Sequence, residues 1–211
     1  HRGALLAAGL EQPPPVGWRG DPLPRQGQPA QALATMLRPA LDQVLANASP
    51  VAEGRHGPDH VHQLRVGLRR VRSVLRAYGP PDAPRDAALA ASFRALGAAR
   101  DADVLRDTLW PRLAAAGAPA LADLPAAVRA PAAPVAPLLR APAWTALMLA
   151  LIALTEPPAD PAPPQDLRAL LWPPVQRLQR QVRRQARDFA DLDEAGRHQL
   201  RKRLKRLRYL D

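Results

Sequence analysis

The stretch His62-Gln63-Leu64-Arg65-Val66-Gly67-Leu68-Arg69-Arg70-Val71-Arg72 returns 136 residues later as His198-Gln199-Leu200-Arg201-Lys202-Arg203-Leu204-Lys205-Arg206-Leu207-Arg208. His, Gln, Leu and Arg open both copies. Apolar Leu68 and Val71 then meet Leu204 and Leu207, and basic Arg69, Arg70 and Arg72 meet Lys205, Arg206 and Arg208. A match of this length points to internal duplication of one basic helix, and so to a two-fold surface facing a polyanion.

Helical spacing explains the residue types. Val61, Leu64, Leu68, Val71, Leu75 and Tyr78 recur at three- and four-residue steps and form one apolar stripe. His62, Arg65, Arg69, Arg72 and Arg76 follow one position later, about 100° around the helix. From His62 to Arg76 this basic row spans about 21 Å, a track rather than a point. In the second copy Leu200, Leu204 and Leu207 make the apolar row, with His198, Arg201, Lys205 and Arg208 beside it. A solvated helix face mixes acids with bases to gain i,i+4 pairs. Here no acid interrupts residues 60–81 or 195–210, so a ligand is expected to supply the missing negative charge.

Composition agrees in sign. The 211 residues carry a net charge of +11, and every basic residue except Lys202 and Lys205 is Arg, whose planar fork suits phosphate. Abundant Arg, Ala and Pro are also what a GC-rich genome imposes, so composition fixes the sign of the partner and not its identity. Cysteine is absent, which excludes disulfides, thiol nucleophiles and thiolate metal sites. The longest apolar run, residues 143–154, is too short to span a bilayer. No secretory signal is visible, and a soluble cytoplasmic protein is expected.

No segment shows sustained β-branched alternation, so the chain reads as all-α. Residues 1–29 form an irregular Pro-rich leader. Residues 30–118 form a first bundle containing the basic motif at 62–72. Residues 119–173 are Pro-rich short helices and connections, and 174–211 begin a second bundle with the motif at 198–208. The first helix is expected near Pro29 to Gln31, with Leu33, Leu37, Leu41, Val44 and Leu45 on one face and a kink or join at Pro39. A turn follows over residues 49–58, and Asp59 is expected to cap the first basic helix, which stops at Gly79-Pro80-Pro81. Asp86 opens a third helix through Leu89, Phe93, Leu96 and Val104, and a fourth is expected around Pro111 to Ala118. Further helices are expected at Trp144 to Leu154 and from Pro174 to Ala190. The last has Val175, Leu178, Val182, Ala186 and Phe189 on one face and Arg177, Arg180, Arg184 and Arg187 beside it.

The run Val61 to Ser73 resembles the signature of the CHAD family, the conserved histidine α-helical domain. Leu41 to Asn47, the stretch Leu96-Gly97-Ala98-Ala99-Arg100-Asp101-Ala102-Asp103-Val104-Leu105, and His198 to Leu210 are similar to further family elements, in the family's order. The resemblance implies two pseudo-two-fold-related helical bundles whose basic helices face a shared positive cleft. It implies non-catalytic binding of inorganic polyphosphate, with recruitment to polyphosphate granules. The ligand-facing positions it implies are His62, Arg65, Arg69, Arg70 and Arg72, then His198, Arg201, Lys205, Arg206 and Arg208. Arg76 joins them from the helical row and Lys202 from the second motif. A CHAD domain continues into further helices past the second motif, so the second bundle is expected to be incomplete in this chain. Arg2 to Leu6 is similar to the tail of a CYTH domain, which often precedes CHAD.

Other chemistry is weaker. His62 and His198 are read as hydrogen-bond donors to phosphate, or else as structural cap or core residues. A metal site is not expected, because the spacing of His56 and His60 is broken by Gly57 and Pro58. Arg100, Asp101 and Asp103 sit where an acid could orient a basic side chain across the bundle, or where a surface helix makes local pairs. Arg177, Arg180, Arg184 and Arg187 are further supporting cations. No Gly-rich phosphate loop, nucleophile elbow or carboxylate cluster is present, so neither an enzyme nor a cofactor is expected. The rival reading is a nucleic-acid binder using the same electrostatics, and a third is a scaffold for an acidic protein. With four Trp, two Tyr and two Phe, the chain lacks interleaved base-stacking residues, which favours a ligand without bases.

Overall fold

The motif at 62–72 folds as the middle of a helix whose glycine decides how closely its neighbour can approach. In the computed structural model, which describes residues 14–20, 22–79, 82–118, 134–160 and 162–210, this helix is α2 (Pro58–Tyr78). It lies against α1 (Pro29–Ala52). A Cβ on Gly67 would stand 2.8 Å from Val44 Cγ2 and 3.3 Å from the Ala40 carbonyl oxygen, so the two backbones touch there. Leu37, Leu41, Val44, Val51, Val61, Leu64, Leu68 and Val71 fill the seam, each at most 3% exposed. At about 25 cal/mol per Å² of apolar surface, burial on this scale is the main stabilising term of the bundle.

That seam overrides the prolines. α1 continues as one helix through Pro39 and Pro50, so Pro39 marks no join and the turn expected from residue 49 comes later. A helical proline loses one hydrogen bond and crowds the carbonyl four residues back, and the buried face of α1 outweighs that cost. The chain turns only at Gly54, whose φ of 74° is cheap for glycine alone. The Arg55 N–H then returns to the Pro50 carbonyl at 2.9 Å. Leu45, placed on the apolar face by periodicity, is exposed. Asp59 does not cap α2. Gly57 is the N-cap residue, and its N–H donates to Nδ1 of the buried His60 at 3.1 Å.

α3 (Ala83–Val104) returns antiparallel to α2 and contributes Leu89 and Leu96 to the core. It opens at Ala83 rather than Asp86, and Asp82 Oδ1 accepts from the Arg85 N–H at 3.3 Å. Its end widens into a π-turn at Leu105–Leu109 that runs directly into α4 (Trp110–Ala115), so the expected fourth helix continues the third. Pro111 accounts for the wide turn, because it cannot donate to the carbonyl of residue 107 and its ring crowds that group. α5 (Ala136–Arg140) and α6 (Pro142–Ala153) close the core with Leu139, Trp144, Leu147, Met148 and Leu151.

Two short antiparallel strands, β1 (Gln26–Gly27) and β2 (Gln165–Asp166), join the leader to the second half, Gln26 pairing with Asp166. The fold remains all-α. The leader is irregular yet docked: the Val16 N–H donates to Asn47 Oδ1 at 3.2 Å, and Asn47 Nδ2 donates back to the Val16 carbonyl at 3.0 Å. Residues 1–13, with the CYTH-like Arg2 to Leu6, lie outside the described residues, as do Pro80-Pro81 and residues 119–133.

α7 (Leu167–Arg187) begins seven residues before the expected Pro174, so the boundary drawn at 173/174 falls inside a helix. Asp166 caps it by accepting from the Arg168 and Ala169 N–H groups, and Pro173-Pro174 sit within it. α7 ends at Arg187, and Phe189 leaves the apolar face for an exposed 3-10 turn at Phe189–Asp191. α8 (Glu194–Arg208) then folds back on α7, with Asp193 accepting from the Gly196 N–H at 2.7 Å. The buried apolar residues of this pair are Leu167, Val175, Leu178, Val182 and Leu200.

Candidate functional site

The two basic motifs meet where α8 crosses α2. Tyr209, which caps the C-terminal end of α8, is the hinge of the contact. Its hydroxyl accepts from Arg69 Nη1 at 3.2 Å, and its ring lies 5.1 Å from the Arg70 guanidinium. The same guanidinium lies 4.8 Å from the Trp18 ring of the leader, and its Nη1 donates to Oε1 of the buried Gln43 at 2.9 Å. Arg65 and Arg69 stack on the Phe93 ring at 4.6 and 5.1 Å. Such cation–π contacts help to hold flexible guanidinium groups in place.

Electrostatics shows which cations act on one another. Burial pushes the Lys205 ammonium below its ordinary pKa, and the charges of Arg69 and Arg201 push the same way. Arg206 is lowered by burial and by Arg76, with Asp86 opposing. Arg70 is lowered by burial, with Tyr209 opposing and Arg208 adding to the fall. The charges of Arg69 and Lys205, of Arg76 and Arg206 and of Arg70 and Arg208 thus act on one another. Across the α2–α8 contact, two rows of like charge therefore face one another with Tyr209 between Arg69 and Arg70.

One end of the row is neutralised from within. The negative charge expected from a ligand is supplied at Arg72 and Arg76 by the chain itself. Asp86 of α3 accepts from Arg72 Nε at 2.9 Å and Arg72 Nη2 at 3.0 Å, and from Arg76 Nη2 at 2.7 Å. The Arg72 hydrogen bond is the main cause holding the Asp86 carboxyl at about 2; burial opposes it and Arg76 reinforces it. The cluster is still short of acceptors: Nε of Arg76 and Nε of Arg206 are buried and meet no acceptor among the described residues.

The remaining positions divide clearly. His62, His198, Arg201, Lys202 and Arg208 are exposed, so neither histidine is a core residue. Arg177, Arg180, Arg184 and Arg187 are exposed on the side of α7 turned away from Val175, Leu178 and Val182, outside the α2–α8 contact. Arg100, Asp101 and Asp103 lie in the last turns of α3; Asp101 is exposed, and the side chains of Arg100 and Asp103 lie outside the described residues. Among the described side chains, Asp86 orients arginines across the bundle. Sequence spacing missed it together with Trp18, Gln43 and the bridging role of Tyr209. Asp86 had a signal available: in a hairpin of α2 and α3, residue 86 comes back alongside 72 and 76.

Among the described residues no three His, Asp or Glu side chains gather as a metal would require. None of the described helices is long and apolar enough to cross a membrane. The family model of the CHAD domain matches residues 35–210. The crystal structure of the CHAD domain from the plant Ricinus communis is similar to the chain, with a TM-score of 0.75 and 31% identity, covering 93% of this chain and 69% of that one. No curated protein matches the chain.

Proposed function

The chain belongs to the CHAD family, and from that premise we propose that it binds inorganic polyphosphate, without catalysis, along the face where α2 meets α8. The observation that carries this reading is the meeting of α2 and α8 at the Arg69–Tyr209 hydrogen bond, which brings the half-buried cations Arg69, Arg76, Lys205 and Arg206 to one face. Desolvating cations side by side is unfavourable unless an anion joins them. Arg65, Arg69, Arg70, Arg72, Arg76, Lys205 and Arg206 form the inner track, and His62, His198, Arg201, Lys202 and Arg208 form its exposed margins. Recruitment to polyphosphate granules in the cytoplasm belongs to the same proposal.

The aromatic residues favour a ligand without bases over a nucleic acid. Phe93, Trp18 and Tyr209 each have a guanidinium within 5.1 Å of the ring centroid. Those faces are engaged by arginine, whereas single-stranded nucleic acid needs open stacking platforms. The test is a competition between long-chain polyphosphate and single-stranded DNA of matched charge, followed through a salt titration. Polyphosphate should win, and log affinity should fall with log salt at about 0.7 per neutralised phosphate. Equal competition would favour a nucleic-acid backbone, and a slope near zero would remove the electrostatic mechanism.

A further inference from the structure

The position of Asp86 bears on which polyphosphates the face accepts, an inference that rests on the reading just given. Its carboxylate presents two oxygens to Arg72 and Arg76 with Arg206 alongside, much as a phosphate would. One carboxylate does not satisfy three guanidinium groups, and two buried Nε donors are left without an acceptor among the described residues. A phosphate offers more oxygens and more charge than Asp86 and could satisfy them. At the other end of the contact, Arg69 and Lys205 form no ion pair with an acid among the described residues.

We propose that Asp86 is a built-in counter-anion that sets a minimum chain length, because a ligand must displace it from Arg72 and Arg76 to occupy the whole track. Its carboxylate is tethered to α3, so its effective concentration at the two arginines is that of an intramolecular partner, millimolar or higher. A short phosphate arrives from dilute solution and loses that competition. A long chain first anchors on Arg69 and Lys205, and its following phosphates then meet Arg72, Arg76 and Arg206 as intramolecular ligands too. Asp86 therefore filters by valence, and it is a specificity-determining residue rather than an attractive contact.

The experiment is calorimetric titration of the wild-type chain and Asp86→Asn with tripolyphosphate and with long-chain polyphosphate, concentrations counted per phosphate. Asp86→Asn should bind tripolyphosphate about tenfold more tightly while long-chain affinity changes less than about threefold. Equal gains for both ligands would mean that only net charge had changed. A loss for both would make Asp86 a mere orienter of arginines. Either result overturns the proposal while leaving polyphosphate binding intact. Failure of the wild-type chain to bind long-chain polyphosphate would instead overturn the parent reading and this one together. Should Asp86→Asn not fold, the carboxyl carbon of Asp86 in the 13C-labelled wild-type chain gives the same answer. Saturating long-chain polyphosphate should move that resonance and tripolyphosphate at equal phosphate should not; a resonance unmoved by the long chain overturns the proposal.

Discussion

In α2 the motif leucine Leu68 is fully buried, whereas its counterpart in α8, Leu204, is 48% exposed. Gly67 lets α2 press its backbone onto α1, and the corresponding position in α8 is Arg203, which carries a long side chain into the same register. Arg72 is bound by Asp86, while its counterpart Arg208 rests 5.6 Å from the Tyr209 ring. The repeat thus preserves the order of charges and alters what the helix packs against. One copy builds the core and carries cations on its flank; the other mainly brings cations to that flank.

This difference is broken most forcefully at the leucines. Leu68→Ala should cost about 2–5 kcal/mol, the range for an aliphatic truncation in a closed core. Leu204→Ala should cost under about 1 kcal/mol, because half of that side chain already faces water. Chemical denaturation of both variants measures the gap. Similar losses would show that α8 is as deeply packed as α2.

The acid bridge gives the next effect. Asp86 has a folded-state pKa of about 2, below its ordinary 3.8. A depressed carboxyl stabilises above its unfolded value and loses that contribution as pH falls through the folded one. Wild-type stability attributable to this site should therefore be full above about pH 5 and fade toward pH 2, by at most about 2 kcal/mol. Arg72→Gln should remove most of that acid-sensitive increment, while Arg208→Gln, in the other copy, should leave it unchanged. Thermal melts between pH 2 and pH 7 decide the matter, and an unchanged pH profile in Arg72→Gln would show that the bridge does not stabilise the fold.

At the glycine the effect is smaller. Gly67→Ala gains about 1 kcal/mol of helix propensity. It places a Cβ 2.8 Å from Val44 Cγ2, with the Ala40 backbone close behind, and overpacking costs about 1–3 kcal/mol. A net loss of about 1 kcal/mol is expected. Arg203→Ala, at the matching place in α8, should stay within about 0.5 kcal/mol of the parent.

Why the sequence revealed some of this and concealed the rest follows from the kind of contact involved. The stripe of Leu64, Leu68 and Val71 was legible because periodicity alone reports one buried face, and the same stripe placed Arg69 and Arg76 on the flank. The identical pattern in α8 promised a buried Leu204 and misled, because burial depends on a partner helix that period cannot name. Pro39, Pro50 and Pro173 looked like breaks and are not, since packing outweighs one lost hydrogen bond. Asp86 and Tyr209 stayed hidden because their partners lie 14 and 140 residues away across a hairpin and across the repeat. The charge row could be read as single-signed along one helix, and only the third dimension brought Asp86 to Arg72 and Arg76.

The histidines are where the two copies agree, and they give the smallest expected change. His62 and His198 are both exposed and open their motifs at the same register. An exposed side chain that no core surrounds has little to lose on substitution, so His62→Gln and His198→Gln should each leave stability within about 0.5 kcal/mol. On the polyphosphate reading they stand at the margins of the track, where screening over a Debye length of about 8 Å weakens any contact. The double variant should therefore weaken long-chain binding by less than about 1 kcal/mol at physiological salt, against about 1.5–3 kcal/mol for each charged hydrogen bond lost with Arg69→Ala. Titration of the double variant beside Arg69→Ala tests the ranking. A loss from the histidines that equals the loss from Arg69 would move the centre of the track outward to the helix N-terminal ends, and the half-buried Arg69 and Lys205 would no longer be its anchor.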